Sequence, residues 1–304
     1  MLRNVLIRDL YAAKQAAGRP VFSFEFFPPK TEDGERNFFD KTLPQLAALQ
    51  PDYCSVTYGA GGSTRDKTLA IVEAIQNQHH LPAMAHLTCV GSTEAQIREI
   101  IAQARQRGIR NILALRGDPP AGATQFQMTA GGFAYAWQLV KLLRETGDFS
   151  IAVAGFPEGH IACKEGRHVD WQRLKAKIGY GADLVVTQLF FDNRDYFELR
   201  DYLAALGVTV PIVPGIIPIL SGTQIRKFAQ LGGVKLPAAL VAKLDELESD
   251  ETASAEFGIE YATRQCEELL RAGVPGIHFY TLNRVRSTTR ILHNLGLAQP
   301  SASP

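Results

Sequence analysis

The stretch PVFSFEFFP, residues 20–28, is the first of eight short runs of strand-forming residues along the chain. The other seven begin at residues 53, 83, 111, 150, 183, 210 and 276 and have the sequences YCSVTYGA, AMAHLTCV, NILALRGD, SIAVAGFP, DLVVTQLFF, VPIVPGIIPI and GIHFYTLN. Most of these runs are bounded by Gly, Pro, Asn or Asp, which is typical of strand ends. Several are apolar on both faces, which indicates parallel strands buried under helices.

Longer amphipathic stretches lie between these runs and predict helices at 64–78, 93–107, 133–145 and 195–206. Residues 136–143 repeat apolar side chains at i, i+3, i+4 and i+7, and Thr93 with Gln96 forms a capping-box start. The segment 221–272 is longer than one crossover needs. It predicts two or three helices, and its acidic sequence DELESDE predicts a solvated turn.

Eight strands alternating with helices at a spacing of roughly 30 residues favour a closed (β/α)8 barrel, the TIM-barrel form of the α/β class. The alternative is an open doubly wound sheet. Against it, the run 59–64 has Thr64 where the last glycine of a dinucleotide-binding fingerprint should stand, and the chain has no Walker A sequence. We therefore expect an N-terminal helix in 1–19, a single catalytic barrel in 20–300 with extra helices before its last strand, and a disordered tail in 301–304.

The composition excludes several classes of protein. Of the 304 residues 46% are hydrophobic and 21% charged, and the net charge of +1 gives no electrostatic case for nucleic acid or an anionic membrane. The four cysteines form no CxxC pair, so a disulfide framework or zinc site is not expected. Arg3, Arg8 and Asp9 interrupt the N-terminus where an export signal needs an apolar core. A cytoplasmic location follows as the expectation.

Polar residues interrupt the apolar runs at the carboxyl ends of at least six predicted strands. They are Glu25; Thr57 and Tyr58; His86 and Thr88; Arg116, Gly117 and Asp118; Gln188; and Tyr280, Thr281, Asn283 and Arg284. In (β/α)8 barrels the carboxyl ends of the strands carry the chemistry. The sequence therefore predicts a functional site at this rim.

Glu25 is the sharpest candidate among these residues. Side chains alternate along a strand, so Ser23 and Glu25 share one face while Phe22, Phe24 and Phe26 share the other and pack outward under helices. A carboxyl group that points into the barrel is poorly solvated, which predicts a raised pKa and a role as general acid. The alternative is a buried structural ion pair with Arg116 or Arg284.

The other candidates have more evenly balanced interpretations. Asp118 follows a glycine that lets backbone approach a ligand, but it also suits a turn before the two prolines of LRGDPP. His86 is better explained as a hydrogen-bonding imidazole than as a metal ligand, since no second ligand has matching spacing. Gln188 in an apolar strand needs partners, which favours a polar ligand. The defaults for Lys177 and His160 are a solvated helix face and a surface loop.

Together these residues resemble the methylenetetrahydrofolate reductase family, in its short bacterial form without a C-terminal regulatory domain. The segments that carry the resemblance are SFEFFPPK (23–30), SVTYGAGGSTRD (55–66), AHLTC (85–89), LALRGDPP (113–120), AGFPEGH (154–160), TQLFFD (187–192), PGIIPI (214–219) and HFYTLNR (278–284). They span residues 20–297 and each lies at a predicted strand end. Several independent segments in order are far more specific than one short motif.

The resemblance implies a barrel with non-covalently bound FAD. It implies hydride transfer from NADH or NADPH through the flavin to 5,10-methylenetetrahydrofolate in a ping-pong scheme, giving 5-methyltetrahydrofolate in the one-carbon metabolism that supplies methionine synthesis. In the family pattern Glu25 is the general acid, and Asp118 lies near the flavin and the pterin. A homo-oligomer, typically a tetramer, is also implied, and inhibition by adenosylmethionine is not expected.

The same resemblance assigns binding residues by position. The cofactor positions are Thr57, Tyr58, Ala60, His86, Arg116, Gly117, Asp118, Ala136, Phe156, His160, Asp170, Arg173, Ala176 and Lys177. The substrate positions are Asp118, Gln188, Gln224, Phe228 and Arg284, with Thr57 and Gln188 also matching contacts to the nicotinamide. The chain departs from the family pattern at Phe156, where a Tyr is usual, and at Arg173, where an Asn is usual.

Two other functions are compatible with a barrel of this kind. A flavin-free lyase or aldolase would bind a phosphorylated substrate through a Gly-rich loop after strand seven or eight, and ILSGTQ at 219–224 is a faint candidate for such a loop. A binding or scaffold barrel would leave the polar rim unexplained.

Overall fold

The computed structural model describes residues 5–59, 65–119 and 126–297, and its centre is a sheet of parallel strands. The strands are β1 (Val21–Phe26), β2 (Tyr53–Val56), β3 (Ala83–Thr88), β4 (Asn111–Leu115), β5 (Ser150–Gly155), β6 (Leu184–Thr187), β7 (Ile212–Val213), β8 (Gly215–Ile216) and β9 (Gly276–Tyr280). All eight predicted runs contain strand. The predicted tail 301–304 lies outside the described residues.

The sheet closes into a barrel through one interrupted strand. Hydrogen-bonded neighbours follow the order β7-β6-β5-β4-β3-β2-β1-β9-β8. Strands β7 and β8 flank Pro214, and they pair with β6 and β9 respectively. Since proline has no N–H group to donate, the ladder breaks at this residue, and its carbonyl instead accepts the N–H of His278 at 2.9 Å. The predicted (β/α)8 barrel is confirmed, whereas VPIVPGIIPI forms two short strands rather than one.

Helices alternate with the strands. They are α1 (Ile7–Ala16), α2 (Glu32–Asn37), α3 (Leu43–Ala47), α4 (Arg65–Gln78), α5 (Glu94–Gln106), α6 (Ala136–Thr146), α7 (Arg167–Gly179), α8 (Asn193–Ala205), α9 (Gly222–Gly232), α10 (Ala238–Glu246), α11 (Glu251–Arg271) and α12 (Val285–Asn294). A π-helical turn, Phe38–Thr42, joins α2 to α3. None of the helices in the described ranges combines the length and apolar character needed to cross a membrane.

The predicted helical segments are confirmed within a few residues at each end. Thr93 and Gln96 form the expected capping box at the start of α5, with the Thr93 N–H donating to Gln96 Oε1 at 2.8 Å. The segment before the last strand holds α9, α10 and α11, the upper end of the expected range. Helix α10 ends at Glu246 and α11 begins at Glu251, so the acidic sequence between them forms the expected turn.

The apolar core has two layers. Outward-facing strand residues such as Phe24 and Phe26 pack under the helices, as the alternation of PVFSFEFFP predicted. Inside the barrel lie Val21, Tyr53, Met84, Leu113, Ala152, Leu184 and Val213. Helix α1 adds Ile7 and Tyr11 to this inner layer and so closes the amino-terminal end of the barrel.

Two helical glycines differ in the space around them, so substitutions at these positions can test how tightly the helices pack on the barrel. At Gly258 in α11 a Cβ atom would lie 1.9 Å from the Ile219 carbonyl oxygen, whereas at Gly179 in α7 nothing lies within 4 Å of it. We expect Gly258→Ala to lower the free energy of unfolding by about 2 kcal/mol or more, because backbone must move to relieve the overlap. Gly179→Ala, the matched control, should be neutral or slightly stabilising. Urea denaturation checks both, and equal effects would contradict the tight contact.

Candidate active site

Glu25 lies inside the barrel near the carboxyl end of β1, with only 4% of its surface exposed. Its Oε2 atom is 3.1 Å from Nε2 of His278 on β9 and 3.3 Å from Nε2 of His86 on β3. The inward orientation predicted from alternation is confirmed. A buried carboxylate between two imidazoles is a group that can hold and pass a proton.

The strand register explains this arrangement. Strand β1 pairs with β9 so that Ser23 is level with His278, and Glu25 is level with Tyr280. Ser23 Oγ and His278 Nδ1 are 2.7 Å apart, so both ring nitrogens of His278 have partners. The imidazole therefore bridges one inward-facing residue of β1 to the next.

The electrostatics of Glu25 differ from the expectation. Burial by itself raises the pKa of this carboxyl group, but the charge of His86 and the hydrogen bond from His278 outweigh burial and lower the pKa to about 2. The predicted raised pKa is therefore wrong, because the sequence did not place imidazoles beside the carboxylate. The alternative ion pairs are wrong as well. The Arg116 guanidinium lies 4.8 Å from the centre of the Phe126 ring, and Arg284 is an exposed residue at the start of α12.

Several buried polar atoms beside Glu25 have no hydrogen-bond partner among the described residues. They are Ser55 Oγ, Thr88 Oγ1 and His86 Nε2, whose approach to Glu25 is not aligned as a hydrogen bond. Ser55 is level with Glu25 on the neighbouring strand, and Thr88 follows His86 on the same face of β3. Buried polar atoms are nearly always paired, so this group is suited to a polar ligand. In the described ranges, no cluster of His, Cys, Asp and Glu is arranged to hold a metal ion.

A second group of functional side chains lies at the end of β5 and on α7. Lys177 donates from Nζ to the Ala154 carbonyl oxygen at 2.7 Å, and burial lowers its pKa to about 8 despite the opposing charge of Asp170. Asp170 accepts the N–H of His160 at 3.1 Å, and burial raises its own pKa. The sequence default of a solvated Lys177 is wrong: its ammonium group is turned inward to a neutral partner.

The loop after β5 is fixed against α7 by aromatic contacts. The Phe156 and His160 rings meet edge to face with centres 4.5 Å apart, and Trp171 Nε1 donates to the Phe156 carbonyl at 2.8 Å. Burial, followed by the charge of Arg116, lowers the pKa of His160. Asp118 also acts electrostatically on His160, so the loop after β4 faces the loop after β5.

A third group surrounds Gln188 after β6. Its Oε1 accepts the N–H of Leu189 at 2.9 Å, and its amide lies against the end of α9, since a Cβ at Gly232 would be 3.7 Å from Nε2. Gln224 and Phe228 lie four residues apart on α9 and therefore share a face of that helix. These positions, predicted to touch substrate, border the same end of the barrel.

The remaining predicted positions are distributed along the rim. Thr57 and Tyr58 follow β2, Gly117 follows β4 with φ of +90°, and Ala136 and Ala176 lie on α6 and α7. Arg173 is not directed to the lysine group: it pairs with Glu165 at 2.6 Å on the exposed side of α7. Ala60 lies outside the described residues.

Sequence reasoning did not assign Ser23, Tyr53 and His278 to the site, although all three are fully or almost fully buried inside the barrel. Side chains alternate along HFYTLN (278–283), which places His278 and Tyr280 on one face of that strand. The same alternation along YCSVTY (53–58) places Tyr53, Ser55 and Thr57 on one face. The alternation could have predicted that the His278 side chain points into the barrel, but only the register between β1 and β9 shows that it lies next to Glu25.

The fold and site define the class: a (β/α)8-barrel protein with a buried carboxylate–imidazole cluster between β1, β3 and β9, and a lysine on α7 that is turned toward the end of β5. Within that class, the chain belongs to the methylenetetrahydrofolate reductase family, since the family described as "Methylenetetrahydrofolate reductase" matches residues 10–296. The match covers the whole barrel.

Several relatives support this assignment. "Methylenetetrahydrofolate reductase (NADH) 1" of Arabidopsis thaliana is 42% identical over 294 residues, which cover 93% of this chain and 50% of the plant protein. The chain thus spans about half the length of the plant relatives. "5,10-Methylenetetrahydrofolate reductase" of Pectobacterium carotovorum subsp. carotovorum is 41% identical and aligns over 92% of this chain and 91% of its own length. The protein of the same name from Escherichia coli (strain K12) is 38% identical, over 93% of both chains.

Solved structures show the fold alone. An uncharacterized protein from Clostridium thermocellum, described as binding two copies of 5-methyl-5,6,7,8-tetrahydrofolic acid, superposes with a TM-score of 0.58 at 15% identity over 93% of this chain and 97% of its own. Oxaloacetate acetylhydrolase superposes with a TM-score of 0.52 at 11% identity over 97% of this chain and 90% of its own.

Replacing His278 tests the origin of the low Glu25 pKa. In His278→Asn the hydrogen bond of the imidazole to Glu25 is lost while burial stays, so we expect the pKa of Glu25 to rise from about 2 toward its ordinary value of 4.5 or above. Difference infrared titration of the carboxyl band, assigned with Glu25→Gln, measures it. His168→Asn, at an exposed imidazole stacked on Tyr202, is the control. An unchanged band in His278→Asn would refute the assignment.

The same pKa sets a direction for acid stability. Because the folded pKa of Glu25 lies below 4.5, its contribution to folding is present above pH 4.5 and is lost as pH falls toward 2. The stability difference between the wild-type protein and Glu25→Gln should therefore shrink across that window. Denaturation at several pH values measures the difference, and one that grew on acidification would contradict the low pKa.

Proposed function

We propose that the protein reduces 5,10-methylenetetrahydrofolate to 5-methyltetrahydrofolate with a nicotinamide as hydride donor and FAD as bound cofactor. The observation that carries the proposal is the Glu25–His278–His86 cluster, placed at the mouth of a barrel that belongs to the methylenetetrahydrofolate reductase family. The bacterial relatives of this name match nearly their full length, which supports the reaction. The names of the plant relatives favour NADH as the donor.

The residues after β5 fit an FAD diphosphate. Lys177 is a largely buried cation whose observed hydrogen-bond partner is a neutral carbonyl, and its lowered pKa shows how poorly the charge is compensated. An anionic group placed there would form charge-assisted hydrogen bonds with Lys177 and with the ring of His160. Thr57, Tyr58, Arg116, Gly117 and the other predicted rim positions would line the remainder of the cofactor. When bound, FAD supplies hydride acceptance from the nicotinamide and hydride donation to the folate.

Glu25 and His278 would handle the proton that opens the substrate ring. A carboxylate with a pKa of about 2 holds no proton at neutral pH, so the proton for the substrate would have to reach Glu25 from a neighbouring donor, and His278 Nε2 lies 3.1 Å from Oε2. In its protonated form, His278 would pass the Nε2 proton to the Glu25 carboxylate, and the carboxyl group so formed would give that proton to the substrate nitrogen, which leaves His278 as the neutral imidazole. The cluster thus acts as a coupled acid whose apparent pKa belongs to the pair.

Other predicted residues would orient the two substrates. Asp118, exposed on the loop after β4, would stabilise the cationic iminium that forms when the ring opens. Gln188 with Gln224 would bind the pterin, Phe228 would pack against either ligand, and Arg284 would face the acidic part of the folate. One site serving both substrates in turn gives the ping-pong order. The tetramer, the cytoplasmic location and the link to methionine synthesis stay predictions.

The alternative of a flavin-free lyase is not favoured. It would need a phosphate-binding glycine loop after β8, but at 219–224 the backbone of Ser221 and Gly222 starts α9, and the Ser221 hydroxyl accepts the N–H of Gln224 at 3.2 Å as a helix cap. The likeness to oxaloacetate acetylhydrolase is one of fold alone. A yellow purified protein would support the flavin, and a colourless protein that refuses added FAD would contradict the proposal.

Substitution of Glu25 separates the two half-reactions. Glu25→Gln should still be reduced by NADH at nearly the wild-type rate, but transfer to the folate should slow by about 100-fold or more, because general acid catalysis contributes on the order of 10²–10⁴. Stopped-flow absorbance of the flavin measures each half-reaction. Glu145→Gln, at an exposed helix position, is the control. Equal loss in both half-reactions would remove Glu25 from the acid role.

Lys177 and Lys175 provide a matched pair on one helix. Lys177→Met removes the inward cation while keeping the apolar stem, so FAD should bind about tenfold or more weakly through the lost charge-assisted hydrogen bond. Lys175→Met, on the exposed side of α7, should retain FAD. Isothermal titration of the apoproteins with FAD measures the two affinities. Equal affinities would exclude Lys177 from the diphosphate site.

A further inference from the structure

A row of buried hydroxyl groups runs along the barrel axis below Glu25. Tyr11 Oη on α1 lies 3.4 Å from Tyr53 Oη on β2, and Tyr53 is level with Ser23 on the neighbouring strand β1, where the Ser23 hydroxyl acts on the pKa of the Tyr53 phenol. Ser23 Oγ is 2.7 Å from His278 Nδ1, and His278 Nε2 is 3.1 Å from Glu25 Oε2. All five residues are at most 4% exposed. We call this set the hydroxyl column.

We propose that Tyr53 and Tyr11 are positioning residues that enable His278 to take up and release the proton used at Glu25. Each hydroxyl of the column both donates and accepts, so the column can point in either direction. The inference rests on the proposed function for the use of the proton, whereas the hydrogen bonding itself is independent of the substrate.

The neutral imidazole fixes one direction of the column. Since a carboxylate only accepts, the His278 proton must lie on Nε2, and Nδ1 then accepts from the hydroxyl of Ser23. The Ser23 oxygen accepts in turn from Tyr53, whose oxygen accepts from Tyr11. Every hydroxyl proton then points toward Glu25.

The protonated imidazole requires the opposite direction. Nδ1–H now donates to the Ser23 oxygen, so the Ser23 hydroxyl needs an acceptor, and Tyr53 Oη provides one. Tyr53 can then donate to Tyr11, so the hydroxyl proton that lacks an acceptor is displaced from Ser23 to Tyr11, the phenol at the end of the row, on which the negative charge of Asp52 acts. Without the Tyr53 hydroxyl, this proton would stay on Ser23 next to the imidazolium, and a buried donor without an acceptor beside a positive charge is costly.

Ring packing and the docking of α1 hold the column in place. The Tyr53 ring stacks on His278 with centres 6.3 Å apart, and Tyr11 meets Tyr53 edge to face at 6.2 Å. Helix α1 is anchored beside them because the Ile7 N–H donates to Asn111 Oδ1 at 2.9 Å, and the Arg8 N–H to Ser150 Oγ at 3.0 Å. The two phenols are therefore held in the barrel by the strand register of β2 and by α1, the N-terminal helix that the sequence predicted ahead of the barrel.

The lower end of the column does not release protons. Burial raises the pKa of Tyr53 to about 12 and that of Tyr11 further above its ordinary value, so neither phenol ionises at neutral pH. The column therefore reorients around the proton of His278, and exchange with solvent occurs at the mouth of the barrel, on the side of His86.

Other ionisable groups face the same elements. His86 on β3 and Tyr280 on β9 flank the upper part, and Asp52, before β2, acts on both phenols from below while it pairs with Lys14 at 2.8 Å. They surround the column but leave its internal hydrogen bonds unchanged. Their charges stay constant in a tyrosine-to-phenylalanine variant, so such a variant reports the hydroxyl alone.

The test compares Tyr53→Phe and Tyr11→Phe with Tyr196→Phe in the intact protein labelled with ¹⁵N-histidine. Tyr196 is the control because its buried hydroxyl donates to the Ile212 carbonyl at 2.7 Å and to no member of the column, although it lies close enough to act electrostatically on Tyr11. The ring ¹⁵N signals of His278, assigned by their loss in His278→Asn, are followed against pH. We expect Tyr53→Phe to weaken binding of the second proton about fivefold to tenfold, Tyr11→Phe less, and Tyr196→Phe not at all.

The kinetic readout is the folate half-reaction. Its pH profile should shift to lower pH by about the same factor in Tyr53→Phe, while flavin reduction by NADH stays unchanged. A His278 titration in Tyr53→Phe identical to that of Tyr196→Phe would overturn the proposal. Since the ¹⁵N titration needs no folate, absence of folate reduction in the wild-type protein would refute the proposed function while leaving the column to be judged by its own measurement.

Discussion

The hydrogen bond between Glu25 and His278 is the contact on which the rest of the site depends. A carboxylate with 4% exposure cannot remain charged inside a barrel unless a cationic or donor group lies beside it. His278 supplies that group at 3.1 Å, and His86 adds a second imidazole at 3.3 Å. The consequence is a carboxylate whose pKa is lowered to about 2 and which therefore carries no proton of its own near neutral pH. Any chemistry at this position is therefore shared by the cluster.

This contact exists only because the barrel closes. Glu25 lies on the first strand and His278 on the last, 253 residues apart, and the two strands meet side by side. The barrel closes at the strand that is interrupted at Pro214, where β7 pairs with β6 and β8 pairs with β9. At the break, the Gly215 N–H donates to Thr187 Oγ1 at 2.9 Å, a side-chain bond in place of a ladder bond. The acid group is thus a product of the topology as much as of local sequence.

Much of the fold could be predicted from local pattern, because burial under helices leaves apolar strands bounded by turn residues. The inward orientation of Glu25 followed from the alternation of PVFSFEFFP in the same way. The direction of its pKa shift could not be predicted from the sequence, because it depends on the side chains that strands distant in sequence place next to the carboxylate. The inward orientation of Lys177 could not be predicted for a related reason. The segment RLKAKIG has the composition of a solvated helix, and only the hydrogen bond to the Ala154 carbonyl shows where the ammonium group points.

The two ends of the barrel differ in polarity. At the amino-terminal end, α1 adds Ile7 and Tyr11, both at most 2% exposed, to the apolar inner layer and covers it. At the other end His86, Ser55 and Thr88 present polar atoms without protein partners among the described residues. A polar ligand that pairs with these atoms would therefore approach Glu25 from the carboxyl ends of the strands and not past α1. The N-terminal helix therefore contributes to the apolar interior of the barrel and, under the proposed function, would also orient the hydroxyl column that ends at Glu25.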